Sequence, residues 1–236
     1  MRTLAASIAF NEERKIGSVL DRFEPGLVDE VAVVDDGSSD NTAAVVRDKG
    51  ATLLTHEIRR GAGAAIRTAI GYARENGFGI LVILAGNDKD RPAEIPRLTG
   101  PIRNEAYDFV QGSRYLAGGR YGKMPVHRRL ATGFVHPWLF SIAVRRRITD
   151  STNGFRAIRL SLFDDPRIDI GQDWLDHYEL EPYLFYKAVR LGYRVTEVPV
   201  TKIYPPKSLG YTKMKPFTGW WSIVKPVVYL ALGLRK

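Results

Sequence analysis

Along the first half of the chain, apolar and polar positions follow two alternating patterns. Short apolar runs (TLAASIAF from residue 3, EVAVVD from 30, ATLLTH from 51, GILVIL from 79 and YDFVQG from 107) have the length and composition of buried strands. Between them, EERKIGSVLDRF from 12, DNTAAVVRDKG from 40 and GAGAAIRTAIGYARENG from 61 carry their apolar residues at helical spacing. Strands alternating with helices predict an α/β fold with a mainly parallel central sheet flanked by helices. Ligands of such sheets sit beyond the carboxyl ends of the strands, which directs attention to residues 11–12, 35–40, 85–90 and 112–123.

The pattern changes after Gly112. A Gly- and Arg-rich loop, SRYLAGGRYGKMP, leads to a helical stretch from about Val126 to Arg146 and then to the polar turn TDSTNGFRA. A helix from about Tyr178 to Leu191, the strand YRVTEVPV and the basic segment TKIYPPKSLGYTKMKP follow. With no repeat and no low-complexity linker, residues 1–215 read as one domain and residues 216–236 as an amphipathic C-terminal segment. Trp220 and Trp221 among aliphatics and flanking lysines suit a helix lying in lipid headgroups, or one packed on the domain. Lys225 and Pro226 interrupt its apolar run before it reaches the roughly 18 to 20 residues that span a bilayer. The N-terminal apolar run is too short for a secretion signal, so the expectation is a cytoplasmic protein, peripheral on the inner face of the membrane.

Composition narrows the chemistry. The 236 residues contain no cysteine, which excludes a disulfide framework, a thiolate nucleophile and Cys-ligated metal. An excess of 35 Lys and Arg over 26 Asp and Glu gives a formal charge of +9 and calls for an anionic partner. No nucleic-acid motif accompanies that charge, and nucleic acid is not expected as a partner. GxGxxG and GxxxxGK[ST] are absent, and His56, His127, His136 and His177 have no metal-ligand spacing and read as structural or surface groups.

The most informative segment is VAVVDDGSSDNT, in which a buried strand delivers Asp35 and Asp36 to its mouth and Gly37 permits a tight turn. Paired carboxylates there could accept hydrogen bonds from a base N–H and a ribose hydroxyl. The plainer reading makes Asp36 a turn residue and Asp40 a helix cap.

SIAFNEE followed by VVDDGSSDNT resembles the start of inverting GT-A-fold glycosyltransferases, in particular the polyprenyl-phosphate, dolichol-phosphate mannose synthase-like branch. The resemblance continues in order through GAGAAIRTAIGYA, PAEIPRL, GSRY, DSTNGFRA, HYELEPYLFYKAVRLGYRVTEVPV and GYTKMKP, covering nearly the whole chain. It implies a nucleotide-sugar donor, a polyprenyl phosphate acceptor and a nucleotide pocket lined by Ala9, Asn11, Glu12, Asp35 and Asp36, with Asn87 and Asp88 near the diphosphate. It also implies Arg114, Lys207 and Lys213 as phosphate ligands and Glu179 as an acceptor-side residue.

The resemblance further implies Mg2+ or Mn2+, yet Ala85-Gly86-Asn87 stands where the family has an Asp-Ala-Asp motif. A hard cation would have to take its carboxylates from Asp88 and Asp90. Lys89 could instead neutralise the diphosphate directly, or the three residues could form a solvated turn.

A phosphate monoester acceptor is already largely dianionic at neutral pH and needs no base. A hydroxyl acceptor would need one, and Asp150 before STNGFR or Asp173 in GQDWLDHYE are the candidates. The competing readings are a soluble hydroxyl acceptor with the same donor, and a non-catalytic nucleotide-sugar binding module.

Overall fold

The computed structural model describes residues 1–122, 124–206, 208 and 218–235. Four parallel strand pairs and one antiparallel insertion make the sheet. Its strands are β1 (Thr3–Ala9), β2 (Glu30–Asp35), β3 (Thr52–Thr55), β4 (Ile80–Ala85), β5 (Phe109–Ser113), β7 (Arg156–Arg159) and β8 (Val195–Pro199), in the order β3-β2-β1-β4-β7-β5-β8. All neighbours run parallel except β7, which lies antiparallel between β4 and β5. The strands of the first half fall where the apolar runs predict them. β7 was not expected, because FRAIR follows a polar turn and alternates too briefly to signal a strand.

Helices α1 (Glu13–Leu20), α2 (Thr42–Asp48), α3 (Ala62–Glu75), α4 (Ile95–Asn104) and α7 (Leu180–Arg190) cover the two faces of the sheet. Two buried clusters result, one joining Leu4, Val34, Ile66, Leu81, Phe109 and Phe185, the other Ile16, Val33, Val82, Leu98, Val110 and Phe155. A two-stranded ribbon, β6 (Arg120–Gly122) with β9 (Thr201–Ile203), stands beyond the carboxyl end of the sheet. The helix expected from about Val126 to Arg146 runs without a gap as α5 (Val126–Leu130), a π-turn over 131–135 and α6 (His136–Val144). The C-terminal segment contributes α8 (Thr218–Ala231).

Gly61 and Gly63 show why α3 opens on small residues. A Cβ on either would overlap the backbone of residues 175–177, and Ala64 N donates to Asp176 O at 3.0 Å. Close helix packing through glycine is therefore the role of Gly63. Gly61, at φ 109°, also borders the cavity described next.

Candidate active site

A cavity of about 480 Å³ opens beyond the carboxyl ends of β1, β2 and β4. β1 supplies Ile8 and Ala9, and the start of α1 supplies Glu12 and Lys15. The loop into α3 adds Arg59 and Gly61, and the turn after β4 adds Ala85, Asn87 and Lys89. The opposite wall is Arg128 and Thr132 from the α5 region, Thr152 and Gly154, Tyr178 and Glu181, Lys202 and Tyr204, and Trp220 and Ile223 of α8. Six cationic side chains and three carboxylates line it, so the cavity is electropositive.

Of the residues expected at the nucleotide, Ala9, Glu12, Asp36 and Asn87 line this cavity. Asp36 is almost wholly engaged in building its wall. Its Oδ1 accepts from Arg60 N and lies against His56 Nδ1, both at 2.8 Å, and its Oδ2 accepts from Gly61 N at 2.8 Å. His56 reaches on to Thr68 Oγ1 at 2.9 Å, which confirms a structural histidine. Asp35 turns into its own loop, accepting from Ser38 N at 3.1 Å and from the Ser38 hydroxyl. Asn11, at φ 51°, braces the same loop: its N donates to Ser38 Oγ and its Oδ1 accepts from Ser39 N, each at 2.8 Å. Asp40 accepts from Thr42 N at 3.0 Å just ahead of α2, whose N-cap is Asn41 with no side-chain capping bond, so Asp40 braces the turn and is not the expected cap.

The turn after β4 sorts its residues by parity. Ala85, Asn87 and Lys89 face the cavity, whereas Asp88, at φ 61°, directs its carboxylate to Arg22 in an ion pair. Asp90 is buried beneath, accepting from Lys202 Nζ at 2.6 Å and Ala85 N at 3.2 Å. The two carboxylates expected to hold a metal are thus turned away from each other, each onto a cation. Among the described residues, no group of three His, Cys, Asp or Glu could hold a metal ion. Asn87 offers one buried neutral oxygen without a protein partner, and the ammonium of Lys89 stands two residues on. A neutral carbonyl beside a lysine is a poor donor set for a hard divalent ion, and the residues present do not fit one. Burial, with Lys202, Arg128 and Lys15 close by, pushes the Lys89 ammonium down to about 7.

The acceptor-side residues are arranged differently from expectation. Asp150 is fully buried and holds Arg114 in a bidentate pair, Nε to Oδ2 at 2.6 Å and Nη2 to Oδ1 at 2.7 Å, while Arg114 N donates to Oδ2 at 3.0 Å. With Thr152 N and Oγ1 each 3.3 Å from Oδ1, this carboxylate is saturated as an acceptor. Arg114 keeps an edge on the cavity and donates to Thr152 Oγ1 at 2.7 Å. Glu197 of β8 holds the loop from below, accepting from Thr149 N at 2.8 Å and Asp150 N at 2.9 Å; burial raises its carboxyl above the ordinary range.

Asp173 is exposed on a 3-10 turn and does not line the cavity. Glu179 is buried against α8, its Oε1 accepting from Lys225 Nζ at 2.7 Å, so it secures that helix. Lys207 and Lys213 lie outside the described residues. Sequence reasoning passed over Lys15, Arg59 and Arg128. Their only signals were a Lys one turn after Glu12, a basic pair before residue 61 and a basic pair opening a helix, which are common on surfaces.

The fold is that of the GT-A glycosyltransferases, and the comparisons agree. Residues 7–166 match Glycosyl transferase family 2, and the chain belongs to that family, in its dolichol-phosphate mannose synthase-like branch; it is a glycosyltransferase. It is 32% identical over 230 residues to a dolichyl-phosphate hexose transferase of Haloferax volcanii, spanning 96% of this chain and 92% of that one. It is 28% identical over 222 residues to an undecaprenyl-phosphate mannosyltransferase of Micrococcus luteus, spanning 91% and 88%. Among solved structures, glucosyl-3-phosphoglycerate synthase of Mycobacterium tuberculosis, crystallised with Mn2+, UDP and glucosyl-3-phosphoglycerate, superposes with a TM-score of 0.70 at 20% identity over 98% of this chain and 79% of that one. That likeness carries the fold.

Proposed function

We propose that the chain moves a hexose from a UDP- or GDP-sugar to a polyprenyl phosphate, with inversion, at the cytoplasmic face of a membrane. The observation that carries the reading is the balance of charge in the cavity. Six cations line it, and each lining carboxylate is already bound: Glu12 to Lys15, Asp36 to two backbone amides and His56, and Glu181 to Arg156 Nη2 at 3.2 Å. Such a cavity favours an acceptor that arrives with its own charge. An acceptor phosphate oxygen forms the bond to the anomeric carbon as the bond from that carbon to the donor diphosphate breaks. The nucleoside diphosphate leaves with the electron pair, and no proton is removed. Cationic side chains fixed around the leaving group stabilise the charge that develops there. The names of the two relatives favour the same acceptor class.

An apolar row supports the membrane location. Val126, Leu130, Phe134, Trp138 and Ile142 recur every four residues along α5, the π-turn and α6 and are all at least half exposed, with Phe134 at 68% and Trp138 at 65%. Arg129, Arg145 and Arg147 edge the same groove. Apolar side chains bordered by arginines match an interface with anionic headgroups. In this reading residues 1–215 form the transferase domain and residues 216–236 an interfacial segment laid against it.

The test is transfer of labelled sugar from a panel of UDP- and GDP-hexoses to a short polyprenyl phosphate and, separately, to soluble hydroxyl acceptors. Labelled lipid phosphate product is expected. Product only on hydroxyl acceptors, or donor binding without turnover, would overturn the reading.

A further inference from the structure

The turn after β4 presents a methyl, an amide and an ammonium to the cavity, at Ala85, Asn87 and Lys89, and no carboxylate. The same end of the cavity holds Lys15, Arg128 and Lys202. Glu12 pairs with Lys15, and Asp90 with Lys202, whose Nζ also donates to Asn153 Oδ1 at 2.9 Å. Lys89 and Arg128 converge on one aromatic ring, their charged ends 4.6 Å and 5.7 Å from the centre of Tyr204. Cations gathered this closely in a buried pocket repel one another, and a multiply charged anion bridging them would relieve that repulsion. The β1–α1 junction borders the same space through Ala9 and Glu12, so the anion-binding end adjoins the end read as the nucleotide site.

Two devices hold the cluster in place. Asp90 accepts from both the Ala85 amide and Lys202, tying the β4 turn to β9 at 3.2 Å and 2.6 Å. Ile203 N then donates to Lys89 O at 3.0 Å, fixing the backbone that carries the ammonium. The Arg22 pair with Asp88 holds the intervening residue outward. Every acidic residue of the turn is therefore used to orient a cation, leaving the cation-bearing face toward the ligand.

We propose that Lys89, with Lys202 and Arg128, binds the donor's diphosphate in the place of a divalent cation, so that donor binding in this chain needs no metal. The inference rests on the nucleotide-sugar reading above. Lysine supplies mobile point charges to phosphate oxygens and Arg128 a planar fork, as a diphosphate leaving group requires.

Calorimetric titration of the purified chain with UDP and with GDP, in excess EDTA, in MgCl2 and in MnCl2, tests it. The better-binding nucleotide is expected to show the same Kd within about twofold under all three conditions, and transfer is expected to survive EDTA. Lys89→Met should weaken the diphosphate about tenfold or more, the value of one lost charge-assisted contact, while weakening the nucleoside alone by less than about twofold. Lys89→Arg should recover most of the loss. A melting temperature close to wild type for Lys89→Met confirms a folded variant, and the wild-type titrations do not depend on it. Tenfold tighter binding with Mg2+ or Mn2+ than with EDTA would overturn the inference and leave the donor reading standing. Failure of both nucleotides to bind in any condition would overturn the donor reading, and this inference with it.

Discussion

Asp150 shows how far a single residue could be read from the sequence. Its place before STNGFR marked a carboxylate near the acceptor, but its partner Arg114 lies 36 residues upstream and meets it only because β7 inserts antiparallel beside β5. That insertion had no signal in the apolar pattern, so a positioning carboxylate could not be told from a base. The geometry makes the two roles separable. Asp150→Asn leaves a buried guanidinium without its counter-charge and should cost about 3 to 5 kcal/mol of stability, read as a fall in the denaturant midpoint at unchanged m-value. A variant with a wild-type midpoint that nonetheless loses turnover would return Asp150 to the candidate bases. Asp173→Asn, on the exposed turn, should keep kcat/KM within about twofold and stability within about 0.5 kcal/mol. A hundredfold loss of kcat there would return Asp173 to the candidate bases.

Among the elements, the parallel strands and the helices between them were legible because each has a long, clean period. The β6–β9 ribbon was not, since three-residue strands carry too few alternations. α8 was legible as an amphipathic helix, but its docking was not. Lys225, which interrupts the apolar run, anchors the helix on Glu179, and His136 of α6 bridges from Ser151 Oγ at 2.7 Å to Ile223 O at 2.9 Å. Lys225→Met should leave the Glu179 carboxylate buried and unpaired, releasing α8 and speeding limited proteolysis within it. A cleavage rate equal to wild type would show that Ile223 and Val227 hold the helix alone.

Burial also holds the His136 imidazole below its ordinary value of 6.5. The folded protein therefore binds that proton more weakly than the unfolded chain does. The resulting stability is intact above about pH 6.5 and declines as the pH falls below it. Melting curves between pH 8 and pH 5 should show a steeper acid loss for wild type than for His136→Gln. Parallel curves would remove His136 from the account.

For the whole molecule, the surface proposed to meet a membrane is decided by which apolar residues the fold leaves uncovered. The sequence pointed to residues 216–236, where Trp220 and Trp221 gave the obvious signal. In the folded chain Trp220, Ile223 and Val227 turn toward the cavity or the core, and Trp221, Leu232 and Leu234 remain outside. The longer exposed row lies instead on α5, the π-turn and α6, where a regular four-residue spacing reads the same in sequence whether the helix face is buried or left uncovered. The same segment turns Arg128 and Thr132 to the cavity, so a membrane held by the outer row would lie beside the cavity proposed to take the lipid phosphate. Phe134→Glu with Trp138→Glu alters only exposed side chains and should leave the melting temperature close to wild type. Co-sedimentation with anionic vesicles should fall about tenfold or more in this double variant and less in Trp221→Glu. Raising the salt should weaken wild-type binding, because the arginines beside the row act through screened charge. Transfer to a short, soluble polyprenyl phosphate should survive the double substitution while transfer to a long-chain acceptor in vesicles declines. Vesicle binding unchanged in the double variant but abolished in Trp221→Glu would assign the membrane contact to α8 alone.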